Sequence, residues 1–279
     1  VQAVNRANEA SQRILVCGDY ISGQPLAHQC ADAFERLGWR VARVNSEDRR
    51  RWLPEAAKRW SKSLAKLAGL KPALSAFYSR REQEARNRPA REALAGFAPH
   101  AVLVIRGNGL LPDVLREMRA RGVITIGWWI KDVRRVEQML AERPLYDLYF
   151  CIHRNLSRGD IAYLPAFAAD PNRAPLPPAP GAYRFDVAFA GIWTEKRQQY
   201  LEELADVRLG IVGPGWYRRN ALRNRRLARA VVAPRLLGAD LLRFYHSARI
   251  VVNIHQWEAQ QATGTTLRVA DVPACGALL

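Results

Sequence analysis

The sequence predicts an α/β protein made of two Rossmann-like domains, each a parallel sheet with helices on its faces. Two observations carry this. Short apolar runs, several closed by Gly, alternate with helical patterns along the 279 residues, and unbroken apolar runs suit parallel strands covered on both sides. Between two such series lies Ala174-Pro-Leu-Pro-Pro-Ala-Pro180, which sustains neither a helix nor a central strand. The chain therefore divides into residues 1–165, a linker over 166–182 and a second domain over 183–279.

In the first domain, Arg13 to Cys17 is an apolar run closed by Gly18, and a loop leads to Gly23. A helical pattern from about Pro25 to Leu37 ends at Gly38-Trp39, and Val41 to Val44 is the next strand. Strand, helix and strand at these lengths form a βαβ unit. Ser46 to about Leu94 is basic and helix-prone, a helical excursion with Trp52 and Trp60 spaced for one face. The winding resumes with strand Ala101 to Ile105, closed by Arg106-Gly107-Asn108-Gly109, and a helix from Pro112 to Arg121. Strand Val123 to Ile130, a short helix Arg134 to Glu142 and strand Leu148 to Ile152 complete it.

The second domain reads as strand Asp186 to Ala190, helix Glu195 to Leu204 and strand Leu209 to Val212. A basic insertion over Arg218 to Arg229 follows, then helix Ala239 to Ser247, strand Ile250 to Ile254 and helix Leu267 to Ala274. Gly276 to Leu279 reads as the start of another buried strand, and the first residue is not Met. Both features predict a piece of a longer protein, with the C-terminal domain incomplete and the piece alone inactive. Two wound domains on a short linker place a ligand in the cleft between their strand ends.

Composition narrows the function classes. An apolar content of 49% with 25% charged residues is that of a globular chain. The formal charge of +17 rests on Arg clusters at Arg49 to Arg51, Arg80 to Arg91 and Arg218 to Arg229. Such a field attracts phosphate-bearing partners and permits peripheral contact with anionic surfaces, although a solvated Arg-rich face explains the same composition. Four scattered Cys without a C-x-x-C pair suit buried thiols in a reducing cytosol. No apolar run has the length of a membrane span and the N-terminus is polar, so a cytoplasmic protein is expected.

The chemistry-bearing residues cluster late in the chain. Val187 to Ala190 leads to Gly191-Ile192-Trp193, Val212 leads to Gly213-Pro214-Gly215-Trp216, and Ile250 to Val252 leads to Asn253-Ile254-His255. An apolar strand ending in Gly before a helix leaves backbone N–H groups at the carboxyl edge of a sheet, where a diphosphate is readily held. Arg268 and Asp271, three apart, share one helix face. The Arg would neutralise a leaving diphosphate and the Asp would accept from ribose hydroxyls. Taken singly, the glycines are more often turn glycines than phosphate cradles, His255 is a core-edge residue or a pyrophosphate donor, and Trp193 and Trp216 are packing or base-stacking groups. Asp19 and His28 follow the first strand, where an acceptor-side base or a helix cap belongs.

These motifs resemble the CgeB-like (spore maturation protein type) glycosyltransferases, a GT-B fold group. The shared segments are Trp128-Trp129-Ile130-Lys131-Asp132, Leu164-Pro165 to Ala169-Asp170, and Phe189, Gly191, Trp193 and Arg197 in a Phe-x-Gly-x-Trp-x-x-x-Arg pattern. Gly213 to Trp216 and Asn253 to His255 complete them. Thr266-Leu267-Arg268-Val269-Ala270-Asp271 stands where the family has Asn-x-Arg-x-Phe-Glu. The resemblance implies a hexosyltransferase-like enzyme that moves a sugar from a nucleoside diphosphate sugar to an unspecified acceptor; no Asp-x-Asp pair sits at a strand end, so no metal is expected, and no cofactor either. It assigns donor binding to Gly191, Trp193, Arg197, Gly213, Gly215, Trp216, Asn253, His255, Thr266, Arg268 and Asp271, and the catalytic base to Asp132. Two rival readings stand beside it. One is a basic nucleic-acid-binding protein, suggested by Arg51-Trp52 and Arg59-Trp60 but lacking any recognised motif, so that no specific nucleic acid is expected. The other is a non-catalytic binder of nucleotide sugars.

Overall fold

A computed structural model describes residues 12–20, 25–46, 71–105, 110–131, 135–166, 183–204, 206–220, 223–256 and 264–279. Contacts divide the chain into two units; the second runs from Tyr163 and takes in Ile152–Leu156. The described elements are α/β in both.

The first unit opens with β1 (Arg13–Gly18), α1 (Pro25–Arg36), β2 (Arg40–Asn45) and α2 (Lys71–Gly96). β3 (Ala101–Ile105), α3 (Pro112–Ala120), β4 (Ile124–Trp129), α4 (Val136–Glu142), β5 (Leu148–Cys151) and β6 (Ile161–Tyr163) follow. Its sheet has the order β2-β1-β3-β4-β5-β6, parallel at each pairing from β2 to β5. The continuous apolar run Ala101–Ile105 is buried throughout, as a central strand covered on both faces requires. Of the helical excursion, α2 is described; Trp52, Trp60, Arg106 to Gly109 and Asp132 lie outside the described residues, as does the linker from Phe167 to Ala182.

The second unit contains β7 (Phe185–Ala190), α5 (Glu195–Glu202), β8 (Leu209–Val212), α6 (Trp216–Asn220), α7 (Arg225–Ala230), β9 (Val231–Ala233), α8 (Gly238–His246), β10 (Ala248–Val251) and α9 (Arg268–Ala274). The sheet order β10-β7-β8-β9 is parallel throughout. The chain steps outward from β7 to β8 and β9, then returns to the other side of β7 as β10. That reversal opens a crevice at the carboxyl ends of β7 and β10. From Val187 onward, alternate residues of β7 serve opposite cores, with Phe185 joining Ala188 and Ala190. Phe185, Ala188 and Ala190 pack with Phe244, Tyr245 and Val272, whereas Val187 and Phe189 pack with Leu201, Ile211 and Trp216.

Two strands escape the sequence pattern, β6 and β9, each of three residues. A third differs in position. β10 ends at Val251, so Asn253 and His255 sit on the loop beyond it. The apolar run misleads because the ladder continues one bond past the strand, from Val252 N–H to the Ala188 carbonyl at 2.9 Å. Leu278 bridges in parallel to Ile250, where the sequence places a strand start. All four Cys are free, and Cys17, Cys151 and Cys275 are buried. No described helix is long and apolar enough to cross a membrane.

Candidate functional site

The turns after β7 and β8 press against each other. A Cβ on Gly213, whose φ is +151°, would stand 1.9 Å from the Gly191 carbonyl oxygen. Only glycine admits that approach. The contact also settles where the backbone donors go. Gly191 N–H donates to the Val212 carbonyl at 2.8 Å, Gly213 N–H to the Ala233 carbonyl at 3.1 Å and Trp193 N–H to the Pro214 carbonyl at 3.0 Å. The amides that sequence pattern leaves unpaired for a phosphate are therefore bonded within the protein at Gly191 and Gly213.

Arginine takes their place. Arg197 is 4% exposed, and Thr194 caps α5 by accepting from its backbone N–H. Its Nε donates to the Ile254 carbonyl at 2.9 Å and its Nη1 to the Ile192 carbonyl at 3.0 Å. Arg268, at the first turn of α9, donates from Nε to the Ala190 carbonyl at 2.8 Å and from Nη1 to Asn253 Oδ1 at 2.6 Å. Both guanidinium carbons lie over the Phe189 ring, at 5.3 and 5.7 Å. A Cβ on Gly191 would stand 3.2 Å from each guanidinium. Gly191 thus makes room for two cations at the carboxyl ends of β7 and β10.

Among the described residues, no carboxylate forms an ion pair with either arginine. Burial, then the charge of Arg268, pushes the Arg197 guanidinium down to about 10. Burial likewise holds Arg268 below its ordinary value, while Tyr245 and Asp271 act in the opposite direction. Both stay charged at neutral pH. Two desolvated cations that disfavour each other make a site of high positive potential. Asn253 organises its edge, with Oδ1 accepting also from Thr266 Oγ1 at 3.2 Å and Nδ2 lying 3.4 Å from His255 Nε2. Burial first, then Arg268 and Arg197, lowers the His255 imidazole below its usual value.

A cavity of about 390 Å³ opens beside this pair. Gly191, Gly213, Thr266, Arg268 and Asp271 line it, joined by Arg235, Leu237, Leu241 and Tyr245. It lies within the second unit. Its lining spans the ends of β7, β8 and β9 and the faces of α8 and α9, and it is mainly apolar with an arginine and a carboxylate at one wall. Residues 196–279 match the family model described as glycosyl transferase-like. No curated protein matches the chain significantly. Among solved structures, a UDP-N-acetylglucosamine 2-epimerase is similar at 9% identity and a TM-score of 0.49, covering 86% of this chain and 74% of that one. A putative UDP-N-acetylglucosamine 2-epimerase from Listeria monocytogenes has 11% identity, a TM-score of 0.47, and coverage of 86% and 73%. The S. aureus MnaA-UDP co-structure has 11% identity, a TM-score of 0.41 and the same coverage. All three likenesses are loose.

The other sequence-predicted residues fall outside the cavity lining. Trp216 is fully buried, its Nε1 donating to the Gly191 carbonyl at 2.8 Å; it packs on Phe189 and offers no face to a base. Trp193 is half-buried, bonded through Nε1 to Gln198 Oε1 at 2.6 Å and covered by the Arg219 guanidinium 4.7 Å from its ring. Gly215, with φ +89°, leads into α6 against Trp193. In the first unit, Asp19 is half-buried after β1, and His28 stands edge-on to Tyr20. Sequence reading missed Tyr245, 2% exposed and lining the cavity with Arg268. Its spacing on α8 is that of any amphipathic core helix. Among the described residues no cluster of three or more His, Cys, Asp or Glu could hold a metal.

Proposed function

We propose that the protein transfers a sugar from a nucleoside diphosphate sugar to an acceptor, with the donor held by the second unit. The observation that carries this is the pair of buried arginines at the crevice between β7 and β10, neither in an ion pair with a carboxylate among the described residues. A diphosphate supplies the missing charge. Arg268 and Arg197 meet the phosphates, Asn253 and Thr266 hold Arg268 in place, and the adjoining cavity receives the nucleoside, with Asp271 accepting from its ribose. Guanidinium groups already fixed by carbonyl and amide partners need no reorganisation as charge develops on the leaving diphosphate. The match of residues 196–279 to a glycosyl transferase-like family supports the same reading, as do the motifs shared with CgeB-like enzymes. The base role stays with Asp132 on sequence grounds, and the free, mostly buried thiols support a reducing, cytoplasmic setting.

The test is titration calorimetry with UDP, GDP, TDP and their sugars on the wild type and on Arg268→Ala. A charge-assisted hydrogen bond contributes roughly 1.5–3 kcal/mol, so affinity for the preferred nucleotide falls by about tenfold to a hundredfold while circular dichroism is unchanged. Equal affinity in the two proteins overturns the donor site.

A further inference from the structure

Between Trp216 and Ala230 the chain carries six arginines and no Asp or Glu. The helices α6 and α7 pack on each other, with Trp216, Asn220 and Leu227 turned inward. All six guanidinium side chains are exposed. Arg226 pairs with Asp206 and Arg219 lies over Trp193. Among the described residues, Arg218, Arg223, Arg225 and Arg229 have no ion pair. Exposed apolar groups lie nearby, Tyr217 on α6 at 65% and, next in sequence to Trp193, Ile192 at 48%. At the far end of the two helices Arg208, Arg226, Arg229 and Asp206 ring an open depression of about 450 Å³ with Val207 and Leu209 in its wall, where Arg208 pairs with Asp186 and Arg226 with Asp206.

We propose that the α6–α7 face docks the protein onto a bilayer surface bearing anionic phospholipid headgroups. Like charges this dense and this poorly neutralised gain most from a surface of fixed negative charge. Tyr217 and Ile192 add what a bilayer rewards and a polyanion does not, an apolar tip that sits at headgroup level among arginines whose stems snorkel. Helices of five and six residues offer no element long enough to follow a nucleic-acid groove. The surface is continuous with the site, since Ile192 also lines the cavity.

Co-sedimentation with vesicles of phosphatidylcholine alone, and of equimolar phosphatidylcholine and phosphatidylglycerol, tests the proposal. Binding to the anionic vesicles alone is expected, weakening as salt shortens the reach of charge. Arg225→Gln with Arg229→Gln lowers partitioning by about thirtyfold, given the contribution of each basic residue near an anionic leaflet. Arg218→Gln with Arg223→Gln serves as an independent second pair. Arg80→Gln with Arg88→Gln removes the same charge from α2 and leaves partitioning nearly unchanged. Absence of wild-type binding, equal loss from the α2 pair, or tighter binding to a nonspecific DNA duplex than to anionic vesicles overturns it.

Discussion

The two sheets are wound alike, and both units carry surface arginines in ion pairs, yet the second also buries arginine at the carboxyl ends of its strands. In the first unit it sits on the surface in ion pairs: Arg43 with Asp32 and Glu35, Arg91 with Asp113 and Glu117, Arg119 with Asp147. At the carboxyl end of β1 the charged residue is Asp19. In the second unit the carboxyl ends of β7 and β10 enclose Arg197 and Arg268, both bonded to neutral carbonyl and amide oxygens. Exposed pairs contribute little to stability, whereas a desolvated cation that no described carboxylate pairs with is a standing cost. A fold retains that cost where a ligand offsets it. The difference thus supports the proposed anion site more firmly than the glycines do, since a glycine closes β1 as well as following β8.

The strongest way to break this comparison is through glycine. Gly213→Ala drives a Cβ into the Gly191 carbonyl and separates the two turns that frame the arginines. Gly122→Ala in the first unit also has a positive φ, +75°, but meets nothing within 4 Å. Gly213→Ala is expected to cost on the order of 4 kcal/mol, and Gly122→Ala about 1 kcal/mol from backbone strain alone. Urea unfolding with hydrogen exchange resolves which unit loosens. Equal costs would show that the turn contact matters no more than an ordinary positive φ.

A double-mutant cycle sharpens the contrast between the arginines. If Arg197 and Arg268 repel in the free protein, each single change to Met relieves the same repulsion, and the double change relieves it only once. The double variant is then less stable than the summed singles by about 1 kcal/mol. The Arg91–Glu117 pair of the first unit should couple attractively, by about 0.5 kcal/mol or less. Saturating nucleoside diphosphate sugar should abolish the repulsive coupling. An attractive coupling between Arg197 and Arg268 without ligand contradicts the assignment of an unfilled anion site.

Much of the architecture is legible in the chain because parallel strands advertise themselves. Ala101–Ile105 and Leu209–Val212 are read to the residue, each an apolar run bounded by polar or glycine positions. β6 and β9 are too short to show a period, and β10 is displaced because its apolar run outlasts its strand. At the site, Arg268 and Asp271 are legible as opposite charges one helical turn apart, and both line the cavity. Trp216 is not, since a Trp after a glycine turn has one sequence signature whether it stacks on a base or fills a core. Tyr245 is hidden for the complementary reason, an apolar position in an amphipathic helix whose hydroxyl reaches the site.

The finest probe of the comparison is His255, a neutral reporter beside the two cations. Its imidazole is lowered from its ordinary value near 6.5 by burial and then by Arg268 and Arg197. The unfolded chain accordingly takes up a proton near that value while the folded protein does not. His255 therefore withdraws stability as the pH falls below about 6.5 and has no such effect above it. A bound diphosphate that offsets the guanidinium charge must raise the imidazole again, so binding draws in a proton and affinity grows as the pH falls. The doubly esterified diphosphate of a nucleotide sugar keeps its charge over this interval, which isolates the histidine. Calorimetry at about pH 7.5 and about pH 5.5 should show affinity rising toward the lower pH. His255→Gln should flatten that dependence while leaving binding at the higher pH intact. Affinity that stays level in the wild type, or a dependence that persists in His255→Gln, would separate this histidine from the charge of the site.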